Sequence, residues 1–180
     1  MGERLGVAEA EFSAAYWRHR LPYDLGLPVA QYWERVLASL PPARAEIALA
    51  DLIESDVASW TGFREPVWEL ARHVRARGGR TALLSNSGPE MMTGVRARRP
   101  LEPWFDVVVV SHEVGVAKPD PRIYEICLGR LGVTGPDALL VDDRLENLES
   151  AARLGVRTAH FTGDPVLHKV RKLTAHLLEE

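Results

Sequence analysis

Apolar positions along the chain follow two rhythms, and the change between them falls near residue 62. Residues 8 to about 62 read as helices throughout. Val36, Leu37 and Leu40 share one face of a segment closed by Pro41-Pro42, and Ile47, Leu49, Leu52, Ile53 and Val57 continue the helical spacing beyond it. From about residue 63 helix and strand patterns alternate. Val67, Leu70, Ala71 and Val74 recur at i, i+3, i+4 and i+7, and Gly78-Gly79 stops that helix. Thr81 to Leu84 reads as a short buried strand. Val107 to Val110 is another, an unbroken run of valines, as expected for a strand covered on both faces. Pro121 to Leu131 predicts a helix with proline at its start and Gly132 after it. A strand at Ala138 to Val141, a helix marked by Leu148, Ala151 and Ala152 and ended by Gly155, a strand at Thr158 to Phe161 and a helix from Pro165 to Leu178 complete the chain. Strands alternating with helices predict βαβ units, a parallel sheet and an α/β class.

Composition narrows this picture. At 180 residues with 46% hydrophobic content, the chain is sized for one domain, or for a core carrying a small inserted subdomain. A net charge of −3 argues against a general nucleic-acid surface. The basic run Arg96-Ala97-Arg98-Arg99 reads as a solvated helix end. Cys127 is the sole cysteine, so there is no internal disulfide framework, and its place beside Ile123 and Ile126 assigns it to core packing. No apolar stretch approaches the roughly 20 residues of a membrane span. Met1-Gly2-Glu3-Arg4 is not followed by a signal-peptide apolar segment, and a cytoplasmic location is expected. The tryptophans and tyrosines of the first half (Trp17, Trp33, Trp60, Tyr16, Tyr23, Tyr32) read as a small bundle core, with room for a few rings at a substrate entrance.

The candidate chemistry lies at the ends of the apolar runs. Ser85 and Asn86 follow one strand, Asp142 and Asp143 follow another, and Lys118 opens Lys118-Pro119-Asp120-Pro121 after the valine strand. In an open parallel sheet, ligands bind outside the carboxyl ends of the strands, so these loops can converge on one crevice. Two adjacent carboxylates repel each other unless a cation lies beside them, and hard oxygen ligands suit Mg²⁺. The Ser85 hydroxyl and the amides after it can donate to phosphate oxygens, and Lys118 supplies positive charge to an anionic substrate. Each residue alone reads better as a turn, loop or helix cap. Their joint placement on one rim favours a site. The six histidines show no metal-ligand spacing, and His112, nearest the rim, reads as structural or polar lining. There is no Walker A loop and no Gly-x-Gly-x-x-Gly fingerprint. Receiver domains place their acidic pair first, whereas here it comes last.

These segments carry a resemblance. Thr81-Ala82-Leu83-Leu84-Ser85-Asn86, Gly115-Val116-Ala117-Lys118-Pro119-Asp120-Pro121 and Leu139-Leu140-Val141-Asp142-Asp143 resemble motifs II, III and IV of the haloacid dehalogenase-like (HAD) superfamily. The last continues through Asn147, Ala151-Ala152 and Leu154-Gly155, and the match covers about residues 63 to 162. The resemblance implies a Rossmann-like three-layer core over residues 63–180 with a small helical cap over 1–62, where Tyr23-Asp24-Leu25-Gly26 and Tyr32-Trp33 fit the cap's habit. It implies that Ser85 and the Asn86 amide bind phosphate, that Lys118 stabilises charge on phosphate and nucleophile, and that Asp142 and Asp143 hold Mg²⁺. It implies hydrolysis of a small phosphorylated metabolite, with a 2-haloacid dehalogenase, which needs no metal, as the runner-up.

One part of the resemblance is absent. The family begins with an apolar strand ending in Asp-x-Asp, whose first Asp attacks phosphorus. Here Met1 is followed by Gly-Glu-Arg-Leu-Gly-Val and then a helix. Asp24 is rejected as the nucleophile because Arg18-His19-Arg20-Leu21-Pro22 before it cannot be a buried strand. The absent strand is the family's central one, between those ending at Ser85 and Asp142, so the facing ladder edges are expected to lack partners. Each buried unsatisfied group costs about 1–3 kcal/mol, against a total stability of about 5–15 kcal/mol. The expected resolutions are closure of the two strands, a segment or second chain filling the slot, or a longer parent protein. The longer parent is preferred over an inactive binding or interaction protein, and the chain as written is expected to be inactive. An exposed edge would also permit a homodimer.

Overall fold

The computed structural model describes residues 1–41 and 47–177. In chain order its elements are α1 (Gly2–Leu5), α2 (Glu9–Arg18), α3 (Arg20–Asp24), α4 (Val29–Ala38), α5 (Leu49–Trp60), α6 (Glu65–Arg75), β1 (Ala82–Ser85), α7 (Pro89–Arg98), β2 (Val107–Val110), α8 (Ser111–Val114), α9 (Pro121–Leu131), a 3₁₀ turn (Gly135–Asp137), β3 (Leu139–Asp142), α10 (Leu145–Ala152), β4 (Arg157–His160) and α11 (Asp164–Leu177). This is an α/β fold, and the alternation of strand and helix begins where the apolar rhythm changes. Two expected boundaries, Pro42 and Leu178, lie outside the described residues.

The chain forms two compact units. One joins Met1–Gly62 with Asn86–Pro100 and Val110–Ala117, and the other joins Phe63–Ser85, Leu101–Val109 and the residues from Lys118 on. The helical unit therefore takes in α7 and α8, which the sequence pattern groups with the alternating half. Side-chain contacts explain the difference. A Cβ on Gly94 of α7 would lie 2.2 Å from Val57 Cγ1, so only glycine lets α7 approach α5 this closely. Gly88, before α7, is pressed against the Tyr23 ring in the same way. Ser111 Oγ donates to the Asp24 carbonyl and ties α8 to α3. The core of this unit is Leu5, Phe12, Ala15, Tyr16, Tyr23, Tyr32, Trp33, Val36 and Leu52. Phe12, Ala15 and Tyr16 share a face of α2, and Tyr32, Trp33 and Val36 a face of α4. Tyr23 stacks on Tyr32 with centroids 4.7 Å apart. The aromatic excess is thus largely core, while Trp17 and Trp60 stay about half exposed.

The second unit carries the strands. They form two separate two-stranded sheets, β1 with β2 and β3 with β4. The β3–β4 pair is parallel, with Leu139 opposite Arg157 and Asp142 opposite His160. No strand among the described residues joins β1 to β3. The residues of β1, and Leu139 to Val141 of β3, are only partly buried, unlike the interior strands of a covered parallel sheet. Local rules set the helices here. Asp120 caps α9 by accepting the Arg122 amide at 2.9 Å, Pro121 opens the helix, and Gly132 closes it in the left-handed conformation. Cys127 is buried on α9 as a free thiol. Trp68 of α6 packs edge-on against Trp104, centroids 5.4 Å apart.

Candidate functional site

The carboxyl ends of β1 and β3 meet at Lys118. Its ammonium donates to the Leu84 carbonyl at 2.9 Å and to Asp142 Oδ2 at 2.6 Å. Leu84 precedes Ser85 at the end of β1, and Asp142 is the last residue of β3. One side chain therefore links the ends of the two strand pairs. The loop bearing Lys118 is itself fixed, because Ser150 of α10 donates to the Pro119 carbonyl.

Asp142 is buried and held from both sides. Oδ1 accepts the Arg144 backbone N–H and the Asn147 side-chain amide, each at 2.9 Å, while Oδ2 takes Lys118. Burial alone would raise its pKa. The Lys118 charge, the Lys118 hydrogen bond and the two N–H donors outweigh burial and hold the carboxyl below its ordinary value. Asp142 is therefore an ionised carboxylate pinned at the end of a strand. Asp143 follows it in the chain and is exposed. Its carboxylate has no hydrogen bond or ion pair among the described residues, and its backbone carbonyl contacts the His160 ring at 3.0 Å. Ser85 is partly buried.

Of the predicted residues, the structure brings Lys118 and Asp142 into direct contact, and places Ser85 one residue beyond the carbonyl that Lys118 holds. Asn86 opens the segment that belongs to the helical unit. Asp24 is buried in that unit on α3, ion-paired with Arg20 Nε at 2.9 Å. His112 sits there too, its Nδ1 2.7 Å from the Ser87 carbonyl. The sequence pattern marks Asn147 only as part of a motif, whereas in the structure its side-chain amide fixes the Asp142 carboxylate. Its place in the first turn of α10, five residues after Asp142, was the available signal.

The donor set limits which cation can bind. No group of three or more His, Cys, Asp or Glu residues among the described ones could hold a metal. Two adjacent carboxylates, one already neutralised by lysine, do not make a closed protein cage of the zinc type. They fit a hard cation that keeps most of its water and takes only one or two carboxylates. No helix among the described residues is long and apolar enough to cross a membrane.

Comparison with known proteins agrees with this arrangement. The family model described as haloacid dehalogenase-like hydrolase matches residues 2–155. A phosphoserine phosphatase from Thermus thermophilus is 38% identical over 85 residues, covering 47% of this chain and 34% of its own length. The (S)-2-haloacid dehalogenase 4A of Burkholderia cepacia is 25% identical over 186 residues, covering 93% of this chain and 80% of its own. A HAD family enzyme from Bacteroides thetaiotaomicron superposes with a TM-score of 0.72 at 19% identity, over 93% of this chain and 85% of that one, a likeness that shows the fold alone. The chain thus spans about a third of the phosphatase and most of the dehalogenase.

Proposed function

Because the chain belongs to the haloacid dehalogenase-like hydrolase family, we propose that its site serves hydrolysis of a small phosphate monoester, with Mg²⁺ as the cofactor. The observation that carries this reading is the Lys118 ammonium fixed between the ends of β1 and β3 on an ionised Asp142. Asp142 and Asp143 are the residues that would hold Mg²⁺, which when bound neutralises charge on the phosphate. The Ser85 hydroxyl and the Asn86 amide donate to phosphate oxygens. Lys118 offsets the charge of phosphate and nucleophile together.

This chemistry needs a carboxylate nucleophile within reach of Lys118, and an extended segment between β1 and β3, which among the described residues are not paired with each other, would place one there. Its oxygen attacks phosphorus, and the ester oxygen departs and takes a proton. Water then attacks the acyl phosphate, which releases inorganic phosphate and restores the carboxylate. Asp24 does not fill this role, since it is buried on α3 in an ion pair with Arg20.

The test is hydrolysis of p-nitrophenyl phosphate by the 180-residue chain and by a version extended upstream with an apolar strand ending in Asp. The reading expects Mg²⁺-dependent turnover in the extended form that Asp142→Ala abolishes. Turnover that survives Asp142→Ala would overturn it. A second reading, favoured by the split sheet, is a non-catalytic protein that keeps the phosphate pocket. It expects binding of phosphate without turnover in both forms. Release of halide from 2-chloropropionate in the presence of EDTA would instead support a dehalogenase.

A further inference from the structure

Charge on the strand-bearing unit is unevenly placed. The whole chain carries a net charge of −3, yet residues 64–80 hold five arginines against two glutamates, and residues 164–177 hold one arginine and two lysines against one aspartate. These segments contain α6 and α11, which pack together within that unit. Two of the arginines have taken a carboxylate. Arg64 pairs with Asp164 at 2.7 Å, and Arg75 with Asp106 at 3.0 Å.

Arg77 and Arg171 do otherwise. Arg77 Nη1, just beyond α6, lies 2.7 Å from His73 Nδ1, and Arg171 Nη2 of α11 lies 3.2 Å from the same nitrogen. Neither arginine has a carboxylate partner among the described residues, and Glu69, one turn before His73, pairs with neither. Two guanidiniums thus converge on one imidazole nitrogen, which has a single lone pair to offer them. Donors outnumber acceptors there, and two like charges stand within about 6 Å of each other because they share that nitrogen. The ring does not relieve the repulsion. Loss of water and the Arg77 and Arg171 charges hold His73 below its ordinary pKa, so it is neutral at pH 7. Arg72 and Lys172, the chain neighbours of His73 and Arg171, add exposed positive charge and make no ion pair among the described residues.

The geometry of the donors selects the ligand. A guanidinium presents its N–H groups as a planar fork that fits two oxygens of a carboxylate or a phosphate. A planar carboxylate fills one fork. A phosphate has oxygens on more than one side and can take both arginines, with His73 as a further donor once it is protonated. We infer that Arg77, Arg171 and His73 form an anion site on the α6–α11 face that takes a phosphate oxyanion, free or as a monoester. The site draws on none of Ser85, Lys118 and Asp142, so it does not depend on the hydrolase reading.

The experiment follows the histidine ring resonances of the 180-residue chain by NMR between about pH 5 and pH 8, in chloride and in phosphate at matched ionic strength. His73→Gln identifies the His73 signal. The charged and titratable groups along the two packed helices at this point are Glu69, Arg72 and Arg77 on one side and His168, Arg171 and Lys172 on the other, and of these Arg77 and Arg171 act on the ring. Phosphate should raise the His73 midpoint by about 0.5 pH unit over chloride, because a bound anion favours the protonated ring. The effect should saturate at about millimolar phosphate. Arg77→Gln and Arg171→Gln should each raise the midpoint in chloride, by removing a like charge, and weaken the phosphate response by about tenfold. Both arginines are exposed, so neither variant threatens the fold. Ser85→Ala should leave the response unchanged. Glycerol 2-phosphate separates the sources: a response equal to that of phosphate gives the site to monoesters as well, and a smaller one gives it to the free ion. A His73 midpoint equal in phosphate and chloride, an equal response to acetate, or an undiminished response in Arg171→Gln would overturn the assignment. So would phosphate that moves His160, beside the Asp143 carbonyl, and leaves His73 unmoved.

Discussion

Replacing Lys118 by methionine removes one charge at the point where the two strand pairs meet. Methionine keeps most of the length and apolar stem of lysine, so the loss is electrostatic. The Lys118 and Asp142 side chains are 11% and 5% exposed, and their charged atoms lie 2.6 Å apart. Removing one partner of a buried pair typically costs about 3–5 kcal/mol, because the other charge stays buried without compensation. Here Asp142 keeps the Arg144 and Asn147 donors, so the lower end of that range is expected at neutral pH. The cost also depends on pH. In the native chain the Asp142 carboxyl is held below its ordinary value, so its contribution is present above the unfolded value and lost as pH falls through the folded one. In the variant, burial faces weaker opposition and the folded value rises. The variant then binds a proton in the folded state and regains stability as pH falls, by about 1.4 kcal/mol for each unit below its raised value. Urea unfolding of both proteins between about pH 4 and pH 7 should give stability curves that diverge toward neutral and converge in acid. A gap that stays constant across this range would refute the charge argument. A double-mutant cycle with Asp142→Asn should return a coupling of more than about 1 kcal/mol.

Other substitutions test other parts of the structure. In Gly88→Ala the new Cβ would sit 2.3 Å from Tyr23 Cζ, and Tyr23 is buried and stacked on Tyr32. A cost of about 1–3 kcal/mol should appear in thermal melts, and an unchanged midpoint would contradict the close packing. Tyr16→Phe deletes the hydroxyl that Asp56, Arg20 and Trp60 share, and should cost about 1–3 kcal/mol in urea unfolding; no loss would mean that those groups find other partners. Burial pushes the Cys127 thiol up to about 11, so at pH 8 its thiolate fraction should be about a hundredfold below that of the unfolded chain. Reaction with a disulfide reagent should be correspondingly slow until denaturant is added, and a fast native reaction would place Cys127 at the surface.

The sequence was legible wherever the physics is local. Valine runs, Pro121 at the start of α9, Gly132 after it and the rhythm of Val67 to Val74 each act within a few residues, and the elements they predict are there with ends shifted by one or two positions. It was less legible where the deciding contact is distant. Nothing near Gly94 or Ser111 announces that α7 and α8 pack with the N-terminal helices, because the reasons are Val57 and Asp24. Arg20 is the sharpest case. In Arg18-His19-Arg20 it reads as surface, yet it is 5% exposed, because three rings and two carboxylates surround it. Its local traces are Tyr16 and Asp24, four residues to either side.

The strand arrangement and the electrostatics of the site have one origin. A parallel sheet holds neighbouring strands by backbone ladders about 4.8 Å apart. Between β1 and β3 no such ladder exists, and a lysine ammonium spans their ends, taking a β1 carbonyl on one side and the β3 carboxylate on the other. Any segment that enters there must satisfy two edges with its backbone and meet Lys118 with its terminal side chain. An apolar strand ending in a neutral residue would meet the first demand and leave the second unanswered. One ending in a carboxylate would meet both, and would compete with Asp142 for the same ammonium. The length of the Lys118–Asp142 contact is therefore the quantity to follow when such a segment is supplied. It should lengthen if the incoming carboxylate shares the lysine, and should stay at 2.6 Å if the slot fills without the site being completed.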